Sequence, residues 1–71
     1  MTRRSQTKLI HEGQYAAEVE VQLIEEEDAW SPYLSLEDAK KLDEVRQALR
    51  RVDLRRASQL ARVFELTPVR P

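Results

Sequence analysis

The stretch Tyr15-Ala16-Ala17-Glu18-Val19-Glu20-Val21-Gln22-Leu23-Ile24 decides how this chain folds. Val19, Val21 and Leu23 alternate with Glu18, Glu20 and Gln22. A period of two is the mark of a strand with one buried and one solvated face. Upstream lies a shorter apolar run, Lys8-Leu9-Ile10-His11, with Glu12-Gly13-Gln14 between the two. Gly13 is the chain's only glycine, and glycine takes positive φ without steric cost, so a tight turn belongs there. The reading is a β-hairpin, residues 7–11 against 15–24. Residues 1–6, polar and basic, read as a disordered tail. Two strands alone are barely stable in water, so the hairpin must pack on something.

Downstream, Glu25-Glu26-Glu27-Asp28 and Ala29-Trp30-Ser31-Pro32-Tyr33 end the strand. Adjacent acids repel one another and favour a solvated loop, and Pro32 disfavours helical geometry at Ser31. Ser35-Leu36-Glu37-Asp38 then reads as a helix start. Ser35 accepts from the amide three residues on, and Asp38 reaches back in an imperfect capping box. Leu36, Ala39, Leu42, Val45, Leu49 and Val52 recur at three- and four-residue steps and give one apolar stripe. Leu54, Ala57, Leu60, Ala61 and Phe64 give a second, with Asp53 as its cap. At about 100° per residue the two stripes are offset by roughly 80°, which places a break near Val52-Asp53. Glu65-Leu66-Thr67 reads as a short last strand stopped by Pro68. The expected fold is therefore α+β: a β-hairpin followed by two amphipathic helices and a short C-terminal strand, in the order ββαα(β).

The chain has 71 residues, no cysteine, one histidine and 35% charged side chains. That length is one small domain, residues 1–71, and a chain so short buries only about 60% of its unfolded surface. Disulfides, a structural metal or a partner usually make up the shortfall. Cysteine is absent and His11 stands alone, so a partner or self-association into a homo-oligomer is the expectation. No apolar run approaches the roughly 20 residues of a membrane span. No hydrophobic stretch follows Arg3-Arg4, so the start is no signal peptide and the expected setting is cytoplasmic.

The net charge of -1 conceals a segregation. Residues 1–11 carry +3, residues 12–44 carry -9 and residues 45–71 carry +5. Such asymmetry gives two electrostatically distinct surfaces.

Catalysis has little to stand on. His11 has no cysteine to activate, the serines lie in no nucleophile motif, and paired carboxylates work inside a pocket that so short a chain hardly has room for. We expect a non-enzymatic protein with no cofactor and no metal. The acids at Glu25–Asp28 are consecutive, whereas a calcium loop alternates its ligands around a glycine turn.

Two binding readings remain. In the first, Glu25, Glu26, Glu27, Asp28, Trp30 and Tyr33 bind a basic protein, because Trp and Tyr are typical hot spots and complementary charge speeds association. The hairpin edge takes part through its unpaired backbone groups. The face made by Val19, Val21 and Leu23, covered only in part by the two helices, adds to it. Trp30 reads equally well as a lid over the hairpin. In the second, Arg46, Arg50, Arg51, Arg55, Arg56 and Arg62 contact nucleic acid, with phosphate neutralisation as the source of affinity. Against it stand a sequence pI of about 5.8, below the basic range of such domains, and the lack of an aromatic ladder for stacking bases.

The segments Tyr15–Glu25, Trp30-Ser31-Pro32-Tyr33-Leu34-Ser35-Leu36-Glu37-Asp38-Ala39 and Leu60-Ala61-Arg62-Val63-Phe64-Glu65-Leu66-Thr67-Pro68-Val69 resemble a family of small bacterial proteins. Its members are similar to antitoxins of type II toxin–antitoxin pairs, in which a small acidic protein neutralises a compact basic toxin. The resemblance spans Tyr15 to Val69 and rests on overall pattern. It implies an antitoxin-like inhibitor that occludes a small basic toxin, and antitoxins of this kind often bind their own promoter. It also implies glycine where this chain has Val52, closing the first helix with a left-handed C-cap.

Overall fold

Gly13 has φ of +61° and closes a two-residue turn between β1 (Thr2–Glu12) and β2 (Tyr15–Glu25). The structure is a computed structural model and describes residues 1–28 and 30–70. The two strands pair antiparallel along their full length, from Glu12 opposite Tyr15 to Thr2 opposite Glu25. The hairpin is thus longer than its apolar alternation predicts. The N-terminal residues 2–6, expected as a disordered tail, lie in β1 because the second half of β2 takes them as its partner. Arg4 there reaches Glu25 at 2.9 Å, and Thr7 Oγ1 donates to Glu20 at 2.6 Å.

The remaining elements are β3 (Tyr33–Leu34), α1 (Leu36–Arg50), α2 (Leu54–Leu60) and β4 (Arg62–Glu65). The expected α+β order, a hairpin followed by two helices and a short strand, is the order of the molecule. β3 and β4 both pair antiparallel with β2 on the edge away from β1. The last strand comes earlier than expected: Phe64 belongs to β4, opposite Ala16, and not to the stripe of the second helix.

Both helices lie on one face of the sheet. Val19, Val45 and Leu49 are the largest fully buried side chains, with Ile10, Ala17, Val21, Ala48 and Ala57 around them. Burying a side chain of this size contributes about 1.5–3 kcal/mol relative to leaving it in water. The stripe of α1 is narrower than its spacing suggests, because Leu36 and Ala39 stay exposed at the start and Val52 lies past the end. Ala48, outside the expected stripe, is fully buried.

The helix caps follow the sequence. The Ser35 side chain accepts from the Asp38 amide at 3.1 Å, and Asp53 accepts from the Arg56 amide at 3.2 Å. Asp38 itself makes no capping box: its Oδ2 accepts from the Gln22 amide of β2 at 2.8 Å. The helices separate at Val52-Asp53, as the stripe offset requires. The Val52 amide donates to Leu49 at 3.0 Å and the Asp53 amide to Ala48 at 2.8 Å, and Val52 has φ of 57°. This is the left-handed closure in which glycine is usual. A left-handed residue with a Cβ costs roughly 1–2 kcal/mol, and β branching makes the conformation rarer still.

The radius of gyration is 14.3 Å, against about 11 Å for a compact chain of this length. The open end of the hairpin carries Thr2–Thr7 exposed throughout.

Candidate functional site

The hairpin's open end brings the predicted protein-binding residues together. Glu25 finishes β2, Glu26–Asp28 turn the chain, and Tyr33 re-enters the sheet opposite Ile24. Glu25 pairs with Arg4, and Glu26 accepts from the Tyr33 hydroxyl at 2.7 Å. That hydrogen bond holds the Tyr33 phenol above its ordinary range, with the negative charge of Glu26 acting in the same direction. Glu27 and Asp28 are exposed. Trp30 is fully exposed, so the lid over the hairpin is not its place: the hairpin already has its cover in the two helices.

The apolar face of β2 is also not where the spacing predicts a contact. Val19 and Val21 are buried beneath α1 and α2, and Leu23 is half-buried. The helices cover Val19 and Val21 and leave Leu23 partly open.

The two edges of β2 are filled differently. β1 occupies one edge from end to end. On the other, β4 ends opposite Glu18 and β3 begins opposite Leu23, which leaves a gap at residues 19–22. Two side chains of α1 fill it. Asp38 accepts from the Gln22 amide, and Lys41 Nζ donates to the Glu20 carbonyl at 2.9 Å. They stand where a strand would otherwise put its own amide and carbonyl groups. Among the described residues the open edge of β1–β2 is therefore that of β1, whose cations are Arg3, Arg4 and Lys8. The β1 edge is basic and the turn at Glu25–Asp28 acidic, so the two differ in the partner charge they favour.

The predicted nucleic-acid residues do not form one stripe. Arg46 and Arg50 both point to Glu12 beside the hairpin turn, at 3.8 and 3.1 Å. Arg56 is held by Glu44, with Nε to Oε1 at 2.7 Å, and by Gln59 at 3.0 Å. Arg62 lies in β4 opposite Glu18, on the sheet face away from the helices, with its guanidinium 5.3 Å from the centre of the Phe64 ring. Arg51 and Arg55 are exposed, and neither has an ion-pair partner among the described residues. The spacing placed these side chains near one another along the chain, but the acids at positions 12 and 44 come from other parts of the fold.

His11 closes its own turn, with Nε2 2.8 Å from the Gly13 carbonyl. Among the described residues no three His, Asp or Glu side chains gather as a metal site, and no helix is long and apolar enough to cross a membrane. What sequence reading missed is the pair Asp38 and Lys41. Their three-residue spacing on one helix face was visible, but nothing in it points to a sheet edge.

No family model, no curated protein and no solved structure matches this chain.

Proposed function

We propose that the chain is a non-enzymatic protein-binding module whose acidic, aromatic end docks on a basic partner. In the form implied by the family resemblance it is an antitoxin-like inhibitor of a small basic toxin. The observation that carries this reading is Trp30, fully exposed close to four consecutive acids. A tryptophan in water is costly to keep and valuable to bury, and interfaces concentrate their affinity in such residues. Glu27 and Asp28 have no ion-pair partner among the described residues, which favours a cationic counterpart. The nucleic-acid reading has less support, since Arg46, Arg50 and Arg56 are tied to carboxylates of the same chain.

The test is genetic and then physical. A neighbouring gene for a small basic protein, toxic alone and rescued by this chain, gives the partner. Trp30→Ala is then expected to weaken binding by at least about tenfold, or about 1.4 kcal/mol. Glu27→Gln together with Asp28→Asn is expected to weaken it in low salt and to flatten its salt dependence. Neither change touches an ion pair within the fold, so stability is expected to hold. Unchanged affinity in both variants contradicts the docking surface.

A further inference from the structure

We propose that the free edge of β1 takes an extended acidic segment of a partner chain as an added antiparallel strand. This rests on the sheet edge alone and not on the Trp30 surface, so each stands or falls by itself.

The edge is built for pairing. The Glu20 carbonyl and the Gln22 amide point away from β1, toward Lys41 and Asp38. Their partners across the hairpin are Thr7 and Ser5. In an antiparallel ladder, residues directly opposite each other point their backbone groups either both inward or both outward. Ser5 and Thr7 therefore direct theirs to the free edge, and by alternation so do Arg3, Leu9 and His11. At about 3.3 Å per residue this strand offers roughly 36 Å of unpaired backbone, the template used when peptides add to a sheet.

Charge selects the occupant. Arg4 and Lys8 stand on one face of β1 and Arg3 on the other, as alternation requires. Lys8 has no ion-pair partner among the described residues, and the Arg3 guanidinium reaches only Gln22, at 3.5 Å. Glu12, the one acid of the strand, already faces Arg46 and Arg50. A second copy fits poorly. Of the central antiparallel registers, two set Arg4 against Lys8 or Lys8 against itself, and like charges directly opposite are destabilising. The third, with Thr7 on Thr7, sets Lys8 against Gln6, so none of them gives Lys8 a carboxylate. An incoming strand with carboxylates on either side of the position facing Gln6 gives Lys8 an anion and adds a second to the Arg4–Glu25 pair.

The experiment uses the full chain and a capped synthetic peptide. It has threonine at alternate positions and, between them, glutamate, valine and glutamate; a control carries lysine for both glutamates. Peptide is added up to about 1 mM, the range of a small, weak contact, while backbone amide exchange is followed by NMR. The acidic peptide is expected to slow exchange at Ser5 and Thr7 and to bind at least about tenfold more tightly than the lysine control. Ser5→Pro removes an outward amide, a change tolerated where that N–H faces solvent, and is expected to abolish the protection. Lys8→Glu keeps the backbone edge and is expected to weaken the acidic peptide by about tenfold. Absence of binding, equal binding of the two peptides, or pairing of the unmodified chain with itself through Ser5 and Thr7 would each overturn the proposal.

Discussion

The two long sides of this sheet solve the same problem in opposite ways. On the β2 side, β4 and β3 cover the ends and α1 fills the gap at residues 19–22 with Asp38 and Lys41. On the β1 side no further strand pairs among the described residues, and the edge carries Arg3, Arg4 and Lys8. Charged side chains on an exposed edge are a known protection against edge-to-edge association. A helix side chain can cap one amide and one carbonyl, but it cannot line a whole strand. The closed edge is therefore a product of tertiary packing, while the open edge is written in the local sequence.

The largest effect is expected where the helix layer holds the closed edge in place. Leu49→Ala removes a fully buried side chain that packs α1 against the sheet, at a cost of about 2–5 kcal/mol. A domain of this length has little more than that to lose. Urea unfolding is expected to show a chain largely unfolded at room temperature, and a midpoint near that of the unmodified chain would mean that α1 is not what closes the sheet.

Asp38→Ala comes next. It takes the acceptor from the Gln22 amide, and losing a charged hydrogen bond of this kind costs about 1–2 kcal/mol with partial solvent access. Asp38→Asn keeps an acceptor and is expected to recover part of the loss. If thermal unfolding finds the two variants equal to the unmodified chain, the gap needs no plug.

Much of this molecule was legible in the sequence, and the remainder had a common cause. The turn at Gly13, the caps at Ser35 and Asp53 and the break at Val52 depend on neighbouring residues, and each stands where spacing placed it. What was not legible depends on partners distant in the chain. Asp38 satisfies the same pattern as a capping box, yet its carboxylate finds the Gln22 amide 16 residues away. Thr2–Gln6 have no apolar signal and become strand because β2 is long enough to hold them. Phe64 continues a helical stripe numerically, but the helix stops at Leu60 and Phe64 pairs opposite Ala16. For the candidate site, the acidic and aromatic residues lie at one end of the fold because they are neighbours in the chain. The arginines were read without Glu12 and Glu44, which divide them.

Val52→Gly sharpens the comparison from the other direction, since it relieves strain at the end of the helix that carries Asp38 and Lys41. Glycine takes the left-handed conformation freely but gains freedom in the unfolded chain. The net expectation is a stabilisation of up to about 1 kcal/mol, or roughly 4–8 °C in melting temperature for a domain of this size. A lower melting temperature would mean that the side chain, not the backbone, matters at this junction.

The smallest effect is at Tyr33. Its folded pKa is raised, so the stabilisation from its hydrogen bond to Glu26 is present below the ordinary value of 10.0 and is lost as pH rises through the raised value. Ultraviolet titration of the unmodified chain minus Tyr33→Phe is expected to show one tyrosine ionising above pH 10, and Glu26→Gln to lower that midpoint. A Tyr33 that titrates the same way with and without Glu26 would dissolve this contact and free the acidic turn further.

The contrast between the edges is tested most directly by backbone amide exchange on the unmodified chain at low concentration. Gln6, directed into the hairpin, and Gln22, capped by Asp38, are expected to exchange slowly, while Ser5 and Thr7 exchange at rates close to those of an unstructured peptide. Ser5 and Thr7 as protected as Gln6 would mean that the β1 edge is already occupied, and would contradict the open edge on which the strand-addition proposal depends.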